Sequence, residues 1–301
     1  MSNVIAFDFG GTKIKHGLIN SNGEIITTGA YKTERKDLDR FLTDLFATVR
    51  TYQASSDVRG IAISMPGYID VHTGYSERAG AITALDGKNI KDLLETEFSL
   101  PVETENDGNC AALAEGNSGN AQGCESFICM TVGTGIGGCI YLNGDIYRGS
   151  NLRAGEYGMM ITDLTSGEQK NMHQTAGFSN LVTDYKRYMQ TDENVEGTAI
   201  FEAALNDPHV KKMIDDWVGH ISRGIFNLCV TLNPEKILIG GGVSAQSYLF
   251  ETINRQLKQY HYWHEFEIPV VPCKYHNDAG MLGAYYHFKK MQTAKKDNPA
   301  F

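Results

Sequence analysis

No stretch of the chain approaches the roughly 20 consecutive apolar residues that a membrane span requires, and no basic segment followed by an apolar run and a cleavage site opens it. A cytoplasmic protein with no membrane partner is therefore expected. Positive charge is scarce as well: 27 Lys and Arg stand against 36 Asp and Glu, for a net charge of -9. A surface that neutralises nucleic-acid phosphates needs clustered Lys and Arg, so no nucleic-acid partner is expected. The six cysteines, Cys110, Cys124, Cys129, Cys139, Cys229 and Cys273, include no CxxC pair and no metal-like spacing. Several lie in apolar, strand-like runs and read as reduced core thiols. No low-complexity linker interrupts the chain, and only the residues after about 293 form a polar tail. What remains is 301 residues, 42% hydrophobic and 21% charged, enough for two domains of ordinary size around a large buried core.

An internal repeat organises that length. Residues 4–26, VIAFDFGGTKIKHGLINSNGEII, run strand, Gly/Thr turn, strand, Asn-Gly turn, strand, and residues 127–146, FICMTVGTGIGGCIYLNGDI, repeat the order. A duplicated fold is expected. Asn22-Gly23 and Asn143-Gly144 are hairpin signals, because both residues of such a pair can adopt φ > 0. Between the copies, Leu38, Phe41, Leu42, Leu45, Phe46 and Val49 fall at helical spacing. RGIAISMPG then reads as a buried strand stopped by Pro66 and Gly67, NIKDLLETEF as a helix, and PVETENDGNCAALAEG as a strand, an acidic turn and an Ala-rich helix. The segment from about 172 to 228 is mostly helical, EKILIGGGV is a strand emptying into three glycines, and DAGMLGAYYHFKKM is a helix with Asp278 at its N-cap.

Glycines after a strand let backbone N–H groups approach an anion closely, although a glycine pair between strands also makes an ordinary turn. Asp8, ionised at the end of the apolar run VIAF, is costly to desolvate without a partner such as hydrated Mg²⁺. The matching loops Gly10–Thr12 and Gly133–Gly138 suit the two sides of a polyphosphate, and hence a nucleotide. Phosphoryl transfer needs positioning, a metal and one base to take the acceptor's proton. The turn Glu105–Asp107, closing a strand and opening a helix, offers a carboxylate for that role, although Asn106 or Asp107 at such a turn commonly just caps the helix.

FDFGGTK, SMPGYID, ENDGNCAALAEG, VGTGIGGCIYLNG, RAGEYG and LIGGGV occur in the order of the ROK sugar kinases and repressors, members of the actin-like ATPase superfold, and the chain resembles that family over nearly its whole length. GIAISMPGYID, AGAI, RAGEYGMMITD and HNDAGMLGAYYHF resemble its β-glucoside kinase branch. The resemblance implies two α/β domains of actin-like (RNase H-like) type with ATP in a cleft between them. It places the first at 1–117, with a C-terminal helix of about 285–301 packed on it, and the second at 118–284, with a helical insertion. It implies that Asp8, Gly10, Gly11, Thr12 and Lys13, with Gly133, Thr134 and Gly135, hold phosphates and Mg²⁺, and that Gly240, Gly241 and Gly242 lie by the adenosine. Asp107 becomes the general base on a sugar hydroxyl, and Asn106, Glu156, Gly67 and Gly80 bind the sugar. A homodimer is expected.

The departures carry information too. Members of this family commonly bind a structural zinc through Glu-x-Gly-His and a CxCGxxGCxE motif. Here Met159 replaces the histidine, and no cysteine occurs between Cys139 and Cys229. A thioether is a poor zinc ligand, so no zinc is expected. His173, alone between His72 and His209, reads as a surface or capping residue. The family's asparagine near residue 81 is missing, with AGAI in its place. The expected activity is ATP-dependent phosphorylation of the 6-hydroxyl of a glucosyl unit, in a β-glucoside such as cellobiose. Glucokinase and N-acetylmannosamine kinase are the alternatives. A sugar-sensing regulator fits less well, because only three residues precede the first strand. A motile or chaperone-like ATPase fits least.

Overall fold

The apolar run Val4–Phe7, fully buried, forms the centre of β1 (Asn3–Phe9), the middle strand of the first of two related sheets. The computed structural model describes residues 2–164 and 168–297. The chain forms two compact units: Met1–Gly119 with Gly149–Arg153 and Asn277–Phe301, and Asn120–Arg148 with Ala154–His276.

In the first unit, β1 is followed by β2 (Lys13–Ile19), β3 (Ile25–Lys32), α1 (Leu38–Ser55) and β4 (Val58–Met65). Three short strands, β5 (Tyr68–Ile69), β6 (Tyr75–Arg78) and β7 (Lys88–Asn89), form a small separate sheet, and α2 (Ile90–Phe98), β8 (Val102–Asn106) and α3 (Asp107–Ser118) follow. The main sheet has the order β3-β2-β1-β4-β8. β1 pairs antiparallel with β2 and parallel with β4, and β4 pairs parallel with β8. α1 starts where Asp37 accepts a hydrogen bond from the Arg40 amide, and its apolar stripe buries Phe41, Leu45 and Val49 in the core.

The second unit repeats this plan with β9 (Phe127–Val132), β10 (Ile136–Leu142) and β11 (Asp145–Tyr147). A largely helical insertion follows: β12 (Ile161–Asp163), β13 (Lys170–Asn171), α4 (Met172–Ala176), α5 (Phe178–Met189), α6 (Gly197–Ala203) and the 25-residue α7 (Pro208–Leu232). β14 (Lys236–Gly240), α8 (Ser247–Leu257), α9 (Trp263–Phe266) and β15 (Val270–Pro272) complete the unit. The order β11-β10-β9-β14-β15 has the same antiparallel and parallel pairings as the first sheet, so the sequence repeat is a repeat of topology. The two Asn-Gly turns differ. Asn143 and Gly144 both take φ > 0, at 54° and 78°, whereas in the first copy only Gly23 does, at 85°. There the Asn20 side chain accepts from the Asn22 and Glu24 amides at 2.9 and 3.0 Å, and this local bonding replaces the two-residue turn.

Finally α10 (Ala279–Asp297) packs in the first unit against α3, β4, β1 and β8. It begins at Ala279, directly after a 3-10 turn His276–Asp278, and continues past residue 293; residues 298–301 of the expected helix lie outside the described residues. Its C-terminal half is tied down by Glu103. That fully buried carboxylate accepts from Lys91 Nζ at 3.0 Å, Gln292 Nε2 at 2.8 Å and Lys295 Nζ at 2.7 Å. Lys91 is almost enclosed while the Lys295 side chain is 35% exposed, so solvent screens the second pair and not the first. Lys91→Met is expected to destabilise by about 2–3 kcal/mol and Lys295→Met by less than about 1 kcal/mol. Urea midpoints check this; equal losses would contradict the burial argument.

Five cysteines are buried, Cys124 is half-buried and all six are unbridged. Among the described residues no helix is long and apolar enough to cross a membrane.

Candidate active site

Parallel strands bring their C-terminal ends to one edge, and in open α/β sheets that edge binds ligands. At the edge of the first sheet, β1 delivers Asp8, β4 leads into Pro66 and Gly67, and β8 delivers Glu105 and Asn106. The Asp8 carboxylate accepts from Ser64 Oγ at 3.0 Å and from Lys15 Nζ at 3.2 Å, and Lys15 also donates to the Asn277 carbonyl at 2.8 Å. Asp8 is thus a carboxylate held in place, the oxygen chemistry that Mg²⁺ or its bound water takes. The turn beyond it closes through Gly10 N to Lys13 O at 3.2 Å, and Thr33 fixes it from β3's side, with Oγ1 on Gly10 O at 2.6 Å and N on Thr12 O at 3.1 Å. Gly10 and Gly11 keep ordinary φ. They are needed for space: a Cβ on Gly10 would lie 2.7 Å from the Lys13 carbonyl, and one on Gly11 2.8 Å from Ala81 Cβ.

The turn between β8 and α3 assigns separate duties to its residues. Asn106 is the N-cap, its Oδ1 accepting from the Gly108 and Asn109 amides at 2.9 and 3.2 Å, while its Nδ2 donates to Gly67 O at 3.0 Å. Asp107, the first helical residue, is exposed and accepts from the Gly108 amide at 2.8 Å. The cap and the candidate base are therefore different residues. Glu105, fully buried, accepts from the Asn106 amide and Asn109 Nδ2, both at 2.9 Å, and faces His287 Nδ1 at 3.5 Å. Its carboxylate also pushes the Cys110 thiol up, after burial itself. Gly67 has φ 95°, and a Cβ there would sit 1.9 Å from Arg78 O and 3.0 Å from Gly80 N, so Gly67, Gly80 and Asn106 come together.

In the second unit the Gly133–Gly135 loop joins β9 to β10 and closes through Gly133 N to Gly135 O at 2.9 Å. Gly241, at φ 92°, would place a Cβ 2.1 Å from Val132 O, so the glycine run after β14 lies directly on the end of β9. A cavity of about 350 Å³ brings Gly133, Thr134 and Gly242 together with Phe178, Glu196, Phe201 and Gln246. The last four carry no local signature, since each comes from a helix or loop distant in sequence. Glu156 begins a 3-10 turn, Tyr157–Met159, which Tyr157 anchors by its hydroxyl on Cys139 O at 2.9 Å; burial pushes that phenol well up. Met159 is 54% exposed and fills no core space. His173, expected at the surface or in a cap, is instead half-buried and accepts the Ile136 amide on Nδ1 at 3.1 Å. Among the described residues no group of three or more His, Cys, Asp or Glu is arranged to hold a metal ion.

Residues 4–291 match the profile of the ROK family. A β-glucoside kinase of Listeria innocua is 36% identical over 293 residues, covering 95% of this chain and 97% of that one. Among solved structures, a candidate N-acetylmannosamine kinase from Listeria monocytogenes matches with a TM-score of 0.88 at 33% identity, over 96% of this chain and 99% of that one. A ROK family glucokinase from Streptomyces griseus, solved with glucose and AMPPNP, matches with a TM-score of 0.79 at 27% identity, over 94% and 98%. The two α/β units, each built on the same five-stranded order, have the actin-like fold.

Proposed function

The chain belongs to the ROK family, and from that premise we propose that it is an ATP-dependent carbohydrate kinase acting on the 6-hydroxyl of a glucosyl unit, with β-glucosides such as cellobiose as its substrates. The observation that carries the reading is the turn at the start of α3, where Asn106 caps the helix and Asp107 presents an exposed carboxylate at the sheet's C-terminal edge. Asp107 takes the proton of the 6-hydroxyl as that oxygen bonds to the γ-phosphorus and the bond to the departing ADP breaks. Asn106, Gly67, Gly80 and Glu156 bind the sugar. Asp8, Gly10, Gly11, Thr12 and Lys13, with Gly133, Thr134 and Gly135, bind the phosphates, and Gly240, Gly241 and Gly242 lie by the adenosine. Asp8 holds Mg²⁺ through water or phosphate; when bound, the ion offsets charge on the transferring phosphoryl group. No zinc takes part. The protein is a cytoplasmic homodimer with no nucleic-acid partner.

The β-glucoside preference draws on the Listeria innocua relative and on Met159. Met159 closes the turn that Glu156 begins, and its exposed thioether has no donor and only a weak acceptor for a free anomeric hydroxyl, but presents a flexible apolar surface to an aglycone. The test compares kcat/KM for cellobiose, glucose and N-acetylmannosamine with ATP and Mg²⁺. The β-glucoside is expected to lead by tenfold or more, about 1.4 kcal/mol in transition-state binding. A monosaccharide leading by that margin would make the enzyme an ordinary hexose kinase of its family.

A further inference from the structure

The segment Met172–Asn180 grips the Gly133–Ile136 loop at three points. Ile136 N donates to His173 Nδ1 at 3.1 Å, Phe178 N to Gly133 O at 2.8 Å, and Ser179 Oγ to Thr134 O at 2.7 Å. His173 alone among these contacts uses a ring. Because Nδ1 accepts a proton donor, the neutral imidazole carries its hydrogen on Nε2. The ring fills the gap between two turns: a Cβ on Gly135 would lie 2.6 Å from Nδ1, and one on Gly158 would lie 2.1 Å from Cε1. Neither turn has room for a side chain while the ring stays in place.

The ring's support is also fixed. Asn171 and Gln174 form a reciprocal capping box at the start of α4, and the His173 carbonyl accepts from Asn180 Nδ2 at 2.7 Å. The Met172 amide donates to Met160 O at 2.9 Å, which fastens α4 to the end of the 3-10 turn that Glu156 begins. His173 thus stands where the glycine loop and the turn bearing Glu156 meet within the second unit.

We propose that His173 is a positioning residue that holds the Gly133–Gly135 loop in register with the Glu156–Gly158 turn, and so sets the nucleotide's phosphates. The proposal rests on the reading that this loop binds phosphate. Two substitutions separate hydrogen bonding from packing. His173→Asn keeps an acceptor on the atom bonded to Cγ, where Nδ1 sits, whereas His173→Leu keeps apolar bulk and leaves the Ile136 amide without its acceptor.

Binding of a non-hydrolysable ATP analogue with Mg²⁺ is measured by calorimetry on the full chain, beside kcat and KM for ATP and sugar. His173→Leu is expected to weaken analogue binding and raise the KM for ATP by about tenfold, and His173→Asn to stay within about threefold of the parent. Circular dichroism melting of both variants reports whether they fold. Parent-like analogue binding by His173→Leu, or equal losses in the two folded variants, overturns the proposal. If His173→Leu does not fold, the Asn variant decides: a tenfold loss there also overturns it. A parent that binds the analogue but phosphorylates no sugar sinks the proposed function and leaves the role of His173 standing on the binding data. A parent that binds no analogue sinks both.

Discussion

Asp107→Asn is expected to lower kcat by about 10² to 10⁴ while leaving the KM for ATP within about twofold of the parent. Three features make the substitution a clean one. The helix cap belongs to Asn106, whose Oδ1 takes the Gly108 and Asn109 amides, so the start of α3 does not depend on the carboxylate. Asparagine's own carbonyl can still accept from the Gly108 amide, as Asp107 does at 2.8 Å. The side chain is exposed, so no buried charge is removed. What the amide cannot do is take a proton. Steady-state kinetics with saturating ATP, beside a melting curve that matches the parent, would check this. Near-parental kcat would leave Asp107 as an ordinary first residue of a helix.

The separation of cap from carboxylate shows what a single sequence can carry. END reads as a turn between a strand and a helix, and both candidate residues are visible in it. Which of the two caps depends on one position of register, and β8 ends at Asn106 because that residue is still paired with Met65. The sheets were legible for a different reason: the alternation of apolar runs with Gly/Thr and Asn-Gly punctuation is local, and it occurs twice. The lining of the 350 Å³ cavity was not legible. Phe178, Glu196, Phe201 and Gln246 come from α5, the approach to α6, α6 itself and the approach to α8, and nothing in their spacing points to a common surface. His173 was hidden in the same way. Its importance lies in the two glycines that its ring touches, which are 38 and 15 residues away along the chain.

The placement of α10 was only half visible. DAGMLGAYYHFKKM announces a helix, but its two glycines weaken any such element by about 1 kcal/mol each, and the sequence offers no reason to keep them. The packing supplies one. A Cβ on Gly280 would lie 2.4 Å from the Asp8 carboxylate, and one on Gly283 would lie 1.8 Å from the Cys110 carbonyl oxygen. Gly280, Gly283 and His287 follow a helical spacing of three and four, so one face of α10 meets Asp8, the backbone of α3 and Glu105.

Gly283→Ala is accordingly expected to be among the most destabilising single-methyl changes available to the first unit. The added carbon would also approach the Cys110 carbonyl carbon at 2.3 Å and its Cα at 2.4 Å. All three atoms belong to the backbone of α3, so no side chain can rotate away, and α10 must move off α3 as a body. Overpacking of this kind costs about 1–3 kcal/mol, and more where the obstacle is rigid. The gain from replacing glycine in a helix, about 1 kcal/mol, offsets part of that. With three backbone atoms in the way the gross cost lies above that range, at about 3–5 kcal/mol, so a net loss of about 2–4 kcal/mol is expected, lowering Tm by roughly 5–15 °C for a unit of this size. Because Gly280 rides on the same helix against Asp8, kcat is expected to fall as well. Gly219→Ala in α7 is the control: a Cβ there meets only Gln256 Oε1, at 3.5 Å, so the helix-propensity gain stands alone and Tm holds or rises. Calorimetric melting of both variants decides the matter. If Gly283→Ala melts with Gly219→Ala, α10 does not lie against α3 at the spacing described, and the contact between Gly280 and Asp8 falls with it.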